Sequence, residues 1–212
     1  MTSVKGKAPN RRTEKARETR TRMLNAARDL FVERGYGATT LADVAAAAGV
    51  AVQTIYFTFG NKRSLLKELV DVTIAGDDEP VATMDRDWFR GVLDSPTAAA
   101  HLRAQVAGTT RVLDRVAPIM RMVELAAGSD PEIAGLWPNT DPRYTVLSAA
   151  ARSLVGKPGA RPGVSAADAA DVLYGILSPE LYLLLVRDRD WSPERYERWA
   201  LDTLHPQLCA DG

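Results

Sequence analysis

The side chains with the most specific hydrogen-bonding chemistry in this sequence lie between Val52 and Phe57. The amide of Gln53 can donate and accept at once, which matches the paired groups on the edge of an adenine base. Thr54 can bond a base or touch a thymine methyl group, and Val52 adds an apolar contact. The aromatic ring of Phe57 could contact the same thymine methyl group, or it could instead pack beneath the following helix. These side chains predict a short helix that reads base edges in the major groove of DNA.

A second set of side chains around that segment is suited to the phosphate backbone. Thr40 and Lys62 stand at the starts of two predicted helices, where N–H groups and the helix dipole attract anions. Tyr56 presents a hydroxyl group on a rigid ring. The basic residues of segment 11–17 could also reach the backbone, but solvation is the simpler explanation for them. We therefore expect Thr40, Tyr56 and Lys62 to contact phosphates.

Three short helical patterns would hold these side chains. The first is predicted to begin after Thr40, a good N-cap, and to end at Gly49, since glycine suits the left-handed residue that closes many helices. Ile55 and Phe59 lie one turn apart in the second and are expected to face inward. The third begins after Asn61, another good N-cap. Two short helices joined by a turn with a glycine are typical of a helix-turn-helix motif.

A longer helix is predicted ahead of this motif, beginning after Arg11 and Arg12 and reaching about Arg34. Its apolar residues recur at positions i, i+4, i+7 and i+8, which gives one core-facing stripe. They are Met23, Ala27, Leu30 and Phe31. The helix would therefore pack on the motif to complete a small N-terminal domain.

The order of residues through this region resembles the tetracycline-repressor (TetR) family of transcription regulators. The matching residues are Gly35-Tyr36, Thr39-Thr40, Ala45, Ala48-Gly49-Val50, Ile55-Tyr56, Phe59, Lys62 and Leu65-Leu66. In that family the positions of Thr40, Tyr56 and Lys62 commonly contact phosphates. We expect the neighbouring Thr39 to contact DNA as well. Many members carry serine where this chain has Ala51, so the recognition helix is expected to lack a side-chain cap.

The resemblance also implies a function. The implied function is that of a repressor, which binds a palindromic operator in double-stranded DNA as a homodimer and is released by a small-molecule effector. Three partners are therefore expected: an operator, a second copy of this chain, and an effector of unknown identity. No cofactor, metal site or catalytic residue is expected.

The charge distribution favours a nucleic-acid-binding N-terminal part. The formal net charge is zero, but residues 1–70 contain 13 Lys or Arg against 6 Asp or Glu, a balance of +7. Residues 71–212 contain 14 against 21, a balance of −7. A basic tail in water would explain part of this asymmetry. Beside the helix-turn-helix pattern, it indicates a DNA-binding part joined to a part with another role.

Composition also bears on location. The first 15 residues lack the apolar stretch of a secretory signal, and no apolar run approaches the ~20 residues that span a bilayer. A single cysteine, Cys209, excludes an internal disulfide framework. We expect a cytoplasmic protein with no membrane partner.

The rest of the chain is predicted to be helical throughout, so the expected fold is all-α. Its predicted helices cover 84–93, 95–114, 118–127, 131–137, 143–155, 165–186 (kinked at Pro179) and 192–208. The expected organisation is a disordered tail (1–10), a three-helix helix-turn-helix DNA-binding domain (11–76), and an all-helical ligand-binding and dimerisation domain (77–212).

Candidate effector and dimer residues come from this second domain. An effector pocket is expected to be mostly apolar with a few polar groups. Its candidate residues are Trp88, His101, Met120, Met122, Trp137 and Tyr144. The last long helices carry more apolar surface than one core needs, and two copies could form a four-helix bundle. The predicted interface residues are Val172, Ile176, Leu184, Trp199 and Leu204.

Three other functions compete with this prediction. An enzyme lacks support, because two histidines and one cysteine form no recognisable nucleophilic or metal-binding pattern. A helical interaction scaffold that has stopped binding DNA would not need Tyr56, Lys62 or the charge asymmetry. A transcriptional activator would use the same motif as a repressor, and the sequence does not separate the two.

Overall fold

The computed structural model describes residues 11–76, 82–128, 130–136 and 141–210. Within those residues the chain is helical and has no β-strand, which confirms the predicted all-α class. It separates into two compact units between Leu69 and Val70, inside one helix. The boundary predicted after Gly76 lies at the end of that same helix, and the predicted tail lies outside the described residues.

The N-terminal unit contains three helices and the first part of a fourth, with bounds within about two residues of the prediction. They are α1 (Arg11–Arg34), α2 (Leu41–Ala48), α3 (Val52–Phe59) and α4 (Lys62–Ala75). Apolar side chains from all four are buried and fill one core. They include Met23, Ala27, Phe31, Val44, Ile55, Leu65 and Leu66. The core fixes α3 against its neighbours, and α3 carries the side chains of interest.

Helix α2 begins and ends at the residues that the sequence predicts. The Thr40 hydroxyl oxygen accepts a hydrogen bond from the Asp43 N–H (3.1 Å), and the Asp43 carboxylate accepts one from the Thr40 N–H (2.8 Å). This pair is a capping box. Gly49 follows with a φ of +65°, the left-handed conformation that closes a helix. The chain then turns sharply, and α2 meets α3 at a bend of 109°, as in a helix-turn-helix.

The second unit begins with the end of α4 and continues with a 3-10 turn (Thr83–Asp85) and helices only, in the part of it that is described. The helices are α5 (Asp87–Leu93), α6 (Ala98–Ala127), α7 (Pro131–Ala134), α8 (Pro142–Val155), α9 (Ala166–Ile176), α10 (Pro179–Val186) and α11 (Pro193–Leu208). One core cluster joins α6, α8, α9, α10 and α11. Tyr196 of α11 is fully buried in it, and its hydroxyl donates to the Ile176 carbonyl (2.7 Å).

Helix α6 runs for 30 residues, so the predicted break between Asp114 and Pro118 is wrong. Proline lacks an N–H, which leaves the Asp114 carbonyl without its usual helical partner. The helix continues because Val116, Ala117 and Ile119 beside the proline are all buried. Packing of those side chains outweighs the one lost hydrogen bond.

The helix predicted over 165–186 is two helices, so the predicted kink at Pro179 is a complete break. The Ser178 hydroxyl accepts from the Leu181 N–H (3.1 Å), and Pro179 occupies the first position of α10. A serine cap followed by proline is a helix start, because the proline N–H would be unpaired there in any case. Helix α7 is also shorter than predicted and ends after four residues at Gly135.

One stretch in the described part of the chain, Ala166–Val186, is long and apolar enough to cross a membrane, contrary to the sequence prediction. It consists of α9 and α10 with their break at Ser178. It places Leu173, Leu177 and Tyr182 in the core of the second unit. Helices α2 and α3 pass the same test only when they are taken together across their bend.

Candidate nucleic-acid interface

The side chains predicted to hold phosphates meet in one open groove formed by the starts of α2, α3 and α4. The groove is lined by Gly37, Thr39, Thr40, Leu41, Ala42, Val52, Tyr56, Asn61 and Lys62. The first turn of α2 borders it, and the partial positive charge of a helix N-terminus favours an anion. The fold thus brings Thr40, Tyr56 and Lys62 to one place, although they come from three different helices.

Lys62 is held by an aromatic ring to which the sequence prediction assigned no role. Its Nζ atom lies 4.1 Å from the centre of the Tyr36 ring, a cation–π contact. Partial burial lowers the pKa of Lys62, and the nearby Asp43 carboxylate opposes that change. The contact orders a flexible side chain at the edge of the groove. No local pattern places residue 36 beside residue 62, so the pair could be found only in the folded chain.

The Thr40 hydroxyl is already used inside the capping box. It donates to Asp43 Oδ2 (2.6 Å) while accepting from the Asp43 N–H. The hydrogen bonds from Thr40 lower the pKa of Asp43, and the charges of Arg34 and Lys62 add to that effect. A phosphate at this helix start must therefore compete with the Asp43 carboxylate for the hydroxyl proton.

The outer face of α3 carries the residues predicted to read bases. Gln53 is exposed, and Val52 and Thr54 are half-buried. The ring of Phe57 is 93% exposed, so the alternative that it packs beneath the next helix is wrong. Tyr56 is 54% exposed and lies at the border between this face and the groove.

Helix α3 is held by its buried face and has no side-chain cap. Ile55 is fully buried and Phe59 nearly so. Ala51 makes no capping hydrogen bond, as the departure from the family pattern predicts. A serine at that position would add about 1 kcal/mol of stability. Two apolar anchors therefore keep the recognition helix in place.

Thr39 lies inside the N-terminal unit and not at its surface. The residue borders the groove but is only 1% exposed. Its hydroxyl donates to the Gly35 carbonyl (2.9 Å), with the Leu30 carbonyl at 3.2 Å. The side chain links the end of α1 to the start of α2. Because its hydroxyl is buried and already bonded, the prediction that the Thr39 side chain contacts DNA is wrong.

Comparison with known proteins matches the same helices. Residues 23–69 match the family of bacterial regulatory proteins named the tetR family. The matched residues make up most of the N-terminal unit, whose helix-turn-helix is therefore similar to that of the TetR family. The HTH-type transcriptional regulator TtgR of Pseudomonas putida is 48% identical over 62 residues, which cover 29% of this chain and 30% of TtgR. The match therefore spans less than a third of that relative.

Similarity to known transcriptional regulators over the full chain is weaker. The transcriptional regulator TcmR of Streptomyces glaucescens is 26% identical over 216 residues, covering 96% of this chain and 90% of TcmR. The solved structure of FadR from Bacillus subtilis, in complex with stearoyl-CoA, superposes with a TM-score of 0.63 at 18% identity. It covers 87% of this chain and 96% of FadR. At that identity the likeness shows a shared fold and nothing more.

The predicted effector residues do not share one site in the second unit. Met120 and Met122 are two positions apart on α6, so they point about 200° apart around the helix. Tyr144 is 37% exposed, and its hydroxyl donates to Asp171 Oδ1 (2.9 Å). Trp137 lies outside the described residues.

Two of the six predicted effector residues, Trp88 and His101, do border the same face of α6. His101 is fully buried. Burial, followed by the charge of Lys157, lowers the pKa of its imidazole to about 4. The Trp88 ring packs where a side chain at Gly108 would stand, since a Cβ there would lie 2.5 Å from the ring.

The predicted interface residues differ in exposure. Leu184 is 51% exposed, and Val172, Ile176 and Trp199 are half-buried. Leu204 is fully buried in the core of its own protomer. Because α11 turns it inward, Leu204 cannot contact a second copy and leaves the predicted interface.

Metal-binding and nucleophilic side chains are sparse among the described residues. Across those residues, no three His, Cys, Asp or Glu side chains come together to hold a metal ion. Cys209 is buried, and burial raises the pKa of its thiol. A thiol in such a place is less reactive than an exposed one.

Proposed function

We propose that this TetR-type chain is a transcriptional regulator that binds double-stranded DNA through α3. The observation that carries the proposal is the outward face of α3, where Gln53 and Phe57 project from a helix anchored by Ile55 and Phe59. A ring that is 93% exposed has no packing role within its unit. In the major groove a thymine methyl group would cover it, while the Gln53 amide pairs with an adenine edge.

The groove beside α3 supports the same proposal. Lys62 supplies a charge, Tyr56 a hydroxyl, and the N-terminus of α2 a partial charge, all at one edge of the recognition helix. Phosphate contacts of this kind set the position of a protein on DNA, and base contacts set its sequence preference. The two kinds of contact would therefore act together in one docking.

Gln53→Ala is expected to relax the preference for one base pair in each half-site, with little change in affinity for unrelated DNA. A bidentate contact to a base gives roughly 1–3 kcal/mol of discrimination. Competition with single-base variants of a selected operator measures this preference. Asn25→Ala, an exposed position on α1, is the control. Unaltered discrimination at every base pair in Gln53→Ala would remove that residue from base readout.

The second unit is proposed to form a homodimer through α9, α10 and α11. Leu184 is half exposed on α10, and Val172 and Ile176 are half-buried on α9. Trp199 of α11 meets Trp191 edge-on, with ring centres 6.0 Å apart. The same surface on a second copy, related by a two-fold axis, would complete a four-helix bundle. Such a dimer presents two α3 helices to half-sites about 34–36 Å apart.

Leu184→Glu is expected to convert the dimer to a monomer, because two charges would be buried facing each other. Light scattering at micromolar concentration should give twice the chain mass of 23.0 kDa for the parent and that mass once for the variant. Leu125→Glu, on a 60% exposed leucine of α6, should remain a dimer. A monomeric parent, or a dimeric Leu184→Glu, would exclude this interface.

We further propose that the regulator is a cytoplasmic repressor, released from its operator by a small molecule. The TetR-type fold supports an effector site in the second unit, since the structure of FadR holds stearoyl-CoA. A coupling of about 1–3 kcal/mol between effector and operator corresponds to a 5- to 150-fold loss of DNA affinity. A reporter gene placed behind the operator distinguishes a repressor from an activator. Removing the protein should raise expression under a repressor and lower it under an activator.

A further inference from the structure

One face of α6 carries buried hydrogen-bonding atoms that have no partner in the described part of the chain. His101 and Gln105 are one turn apart on that face, and both are 0% exposed. Among the residues that the structure describes, neither ring nitrogen of His101 has a hydrogen-bond partner, nor does Oε1 of Gln105. Unpaired polar atoms destabilise a buried site unless a ligand or water satisfies them. Three of them lie together here.

The neighbouring groups do not supply the missing bonds. The carbonyls of Val92 on α5 and Ala150 on α8 act to raise the pKa of His101, but neither reaches hydrogen-bond geometry. The Gln105 amide nitrogen donates to the Thr109 hydroxyl (2.8 Å), so only its oxygen remains open. The unpaired atoms of His101 and Gln105 therefore lie between α6, α5 and α8.

The one charge identified near the His101 ring is engaged elsewhere. Lys157 Nζ donates to the carbonyls of Leu93 and Ser95, 2.7 Å from each, and so ties down the end of α5. An anion at the site would have to break those bonds. The Lys157 charge and burial also keep the imidazole neutral, with one N–H donor and one acceptor nitrogen.

Beside these atoms a tryptophan fills a gap left by a glycine. Gly108 lies about one turn beyond Gln105 on the same face of α6, and the Cζ3 and Cε3 atoms of Trp88 lie within 2.6 Å of where its Cβ would be. Trp88 is half-buried on the seven-residue α5, and meets Phe89 edge-on with ring centres 5.6 Å apart. Rotation of the Trp88 side chain would uncover bare backbone and an aromatic wall next to Gln105.

We propose that His101, Gln105 and Gly108 form a binding site for an uncharged ring compound with a hydroxyl or carbonyl group, with Trp88 as its movable wall. The inference rests on the proposed function, because this compound would be the effector. A hydroxyl group both donates and accepts, so it can pair with the Gln105 oxygen and with the neutral imidazole together. The ring would take the place of the Trp88 indole over Gly108.

The site can be tested first without any ligand. Gln105→Leu replaces an unpaired buried oxygen by apolar atoms of similar shape. It also removes the bond from the Gln105 amide to Thr109, but that hydroxyl is only half-buried and water can replace the bond, so the variant is expected to melt at a higher temperature than the parent. Gln207→Leu, on an exposed glutamine of α11, is the matched control and should not gain stability. A lower melting temperature for Gln105→Leu would show that Gln105 only supports the fold, and would overturn the proposal.

Binding is then measured by calorimetric titration of the full chain with 2-naphthol and 2-naphthoate, which share a ring system and differ in charge. We expect 2-naphthol to bind more tightly than 2-naphthoate, and Gln105→Leu to weaken its binding about tenfold. No binding of 2-naphthol, tighter binding of 2-naphthoate, or equal affinity in the variant would each overturn the proposal. DNA binding by parent and variant is measured separately. Its loss in both would contradict the proposed function and leave the naphthol result intact.

Discussion

Lys62→Ala is expected to weaken binding to every DNA sequence by about tenfold for each half-site. Its ammonium group lies in the groove with Thr40 and Tyr56, where a phosphate rather than a base would bind. In a two-fold dimer the contact is lost twice, so the total loss is about a hundredfold. The slope of log affinity against log salt should also fall by roughly 1 for each lost phosphate contact.

Fluorescence anisotropy with specific and random DNA at several salt concentrations measures both effects. Lys67→Ala removes the same charge from an exposed position of α4 outside the groove, and is the matched control. Melting temperature must be recorded alongside, because Lys62→Ala also removes the contact with the Tyr36 ring. If Lys62→Ala and Lys67→Ala lose the same affinity and the same salt dependence, the groove is not the phosphate site.

Acidification from pH 7 to pH 4 is expected to destabilise the parent by about 3 kcal/mol more than a His101→Gln variant. Burial and the Lys157 charge lower the pKa of His101 from 6.5 to about 4. Between pH 6.5 and pH 4 the unfolded chain therefore binds a proton at His101 that the folded chain does not bind. The histidine contributes no penalty above pH 6.5, an increasing one between pH 6.5 and 4, and a constant one below about pH 4.

Urea unfolding at pH 7, 5.5 and 4 measures this difference. The carboxylates of the chain titrate in both proteins, so comparing parent and variant isolates the contribution of His101. His205→Gln, at the other histidine of the chain, is the control and should follow the parent. Parallel loss of stability in the parent and His101→Gln would show that the imidazole accepts a proton in the folded state near its ordinary pKa.

The N-terminal unit could be predicted closely because its helix limits depend on local chemistry. The cap at Thr40, the left-handed Gly49 and the cap at Asn61 each act within four residues. The same locality identified the exposed and buried faces of α3 from the spacing of Ile55 and Phe59. Helix limits and faces of this kind can be predicted from a single sequence.

The prolines of the second unit show where local reasoning ends. Pro118 was predicted to interrupt a helix but lies inside α6, because neighbouring side chains are buried against other helices. Pro179 was predicted to kink a helix but starts a new one after the Ser178 cap. The first outcome depends on tertiary packing and the second on one hydroxyl group. The residue type alone does not distinguish them.

Burial decided most of the differences at the functional sites. Thr39 and Leu204 have types suited to a DNA contact and an interface, yet the fold encloses both. Conversely, two pairs of neighbours became visible only in the folded chain. They are Tyr36 with Lys62, and Gln105 with His101. Periodicity identified faces correctly but did not show how deeply each face is covered.

Selection of DNA fragments from a random-sequence library by the purified full-length chain, at low and high salt, tests DNA reading by α3 most directly. The predicted result is an inverted repeat with half-sites about one helical turn apart, enriched at low salt and lost at high salt. The same selection with Gln53→Ala should return the repeat with one position in each half-site relaxed. No enriched sequence at low salt, or an identical repeat from both proteins, would contradict base reading through the outer face of α3.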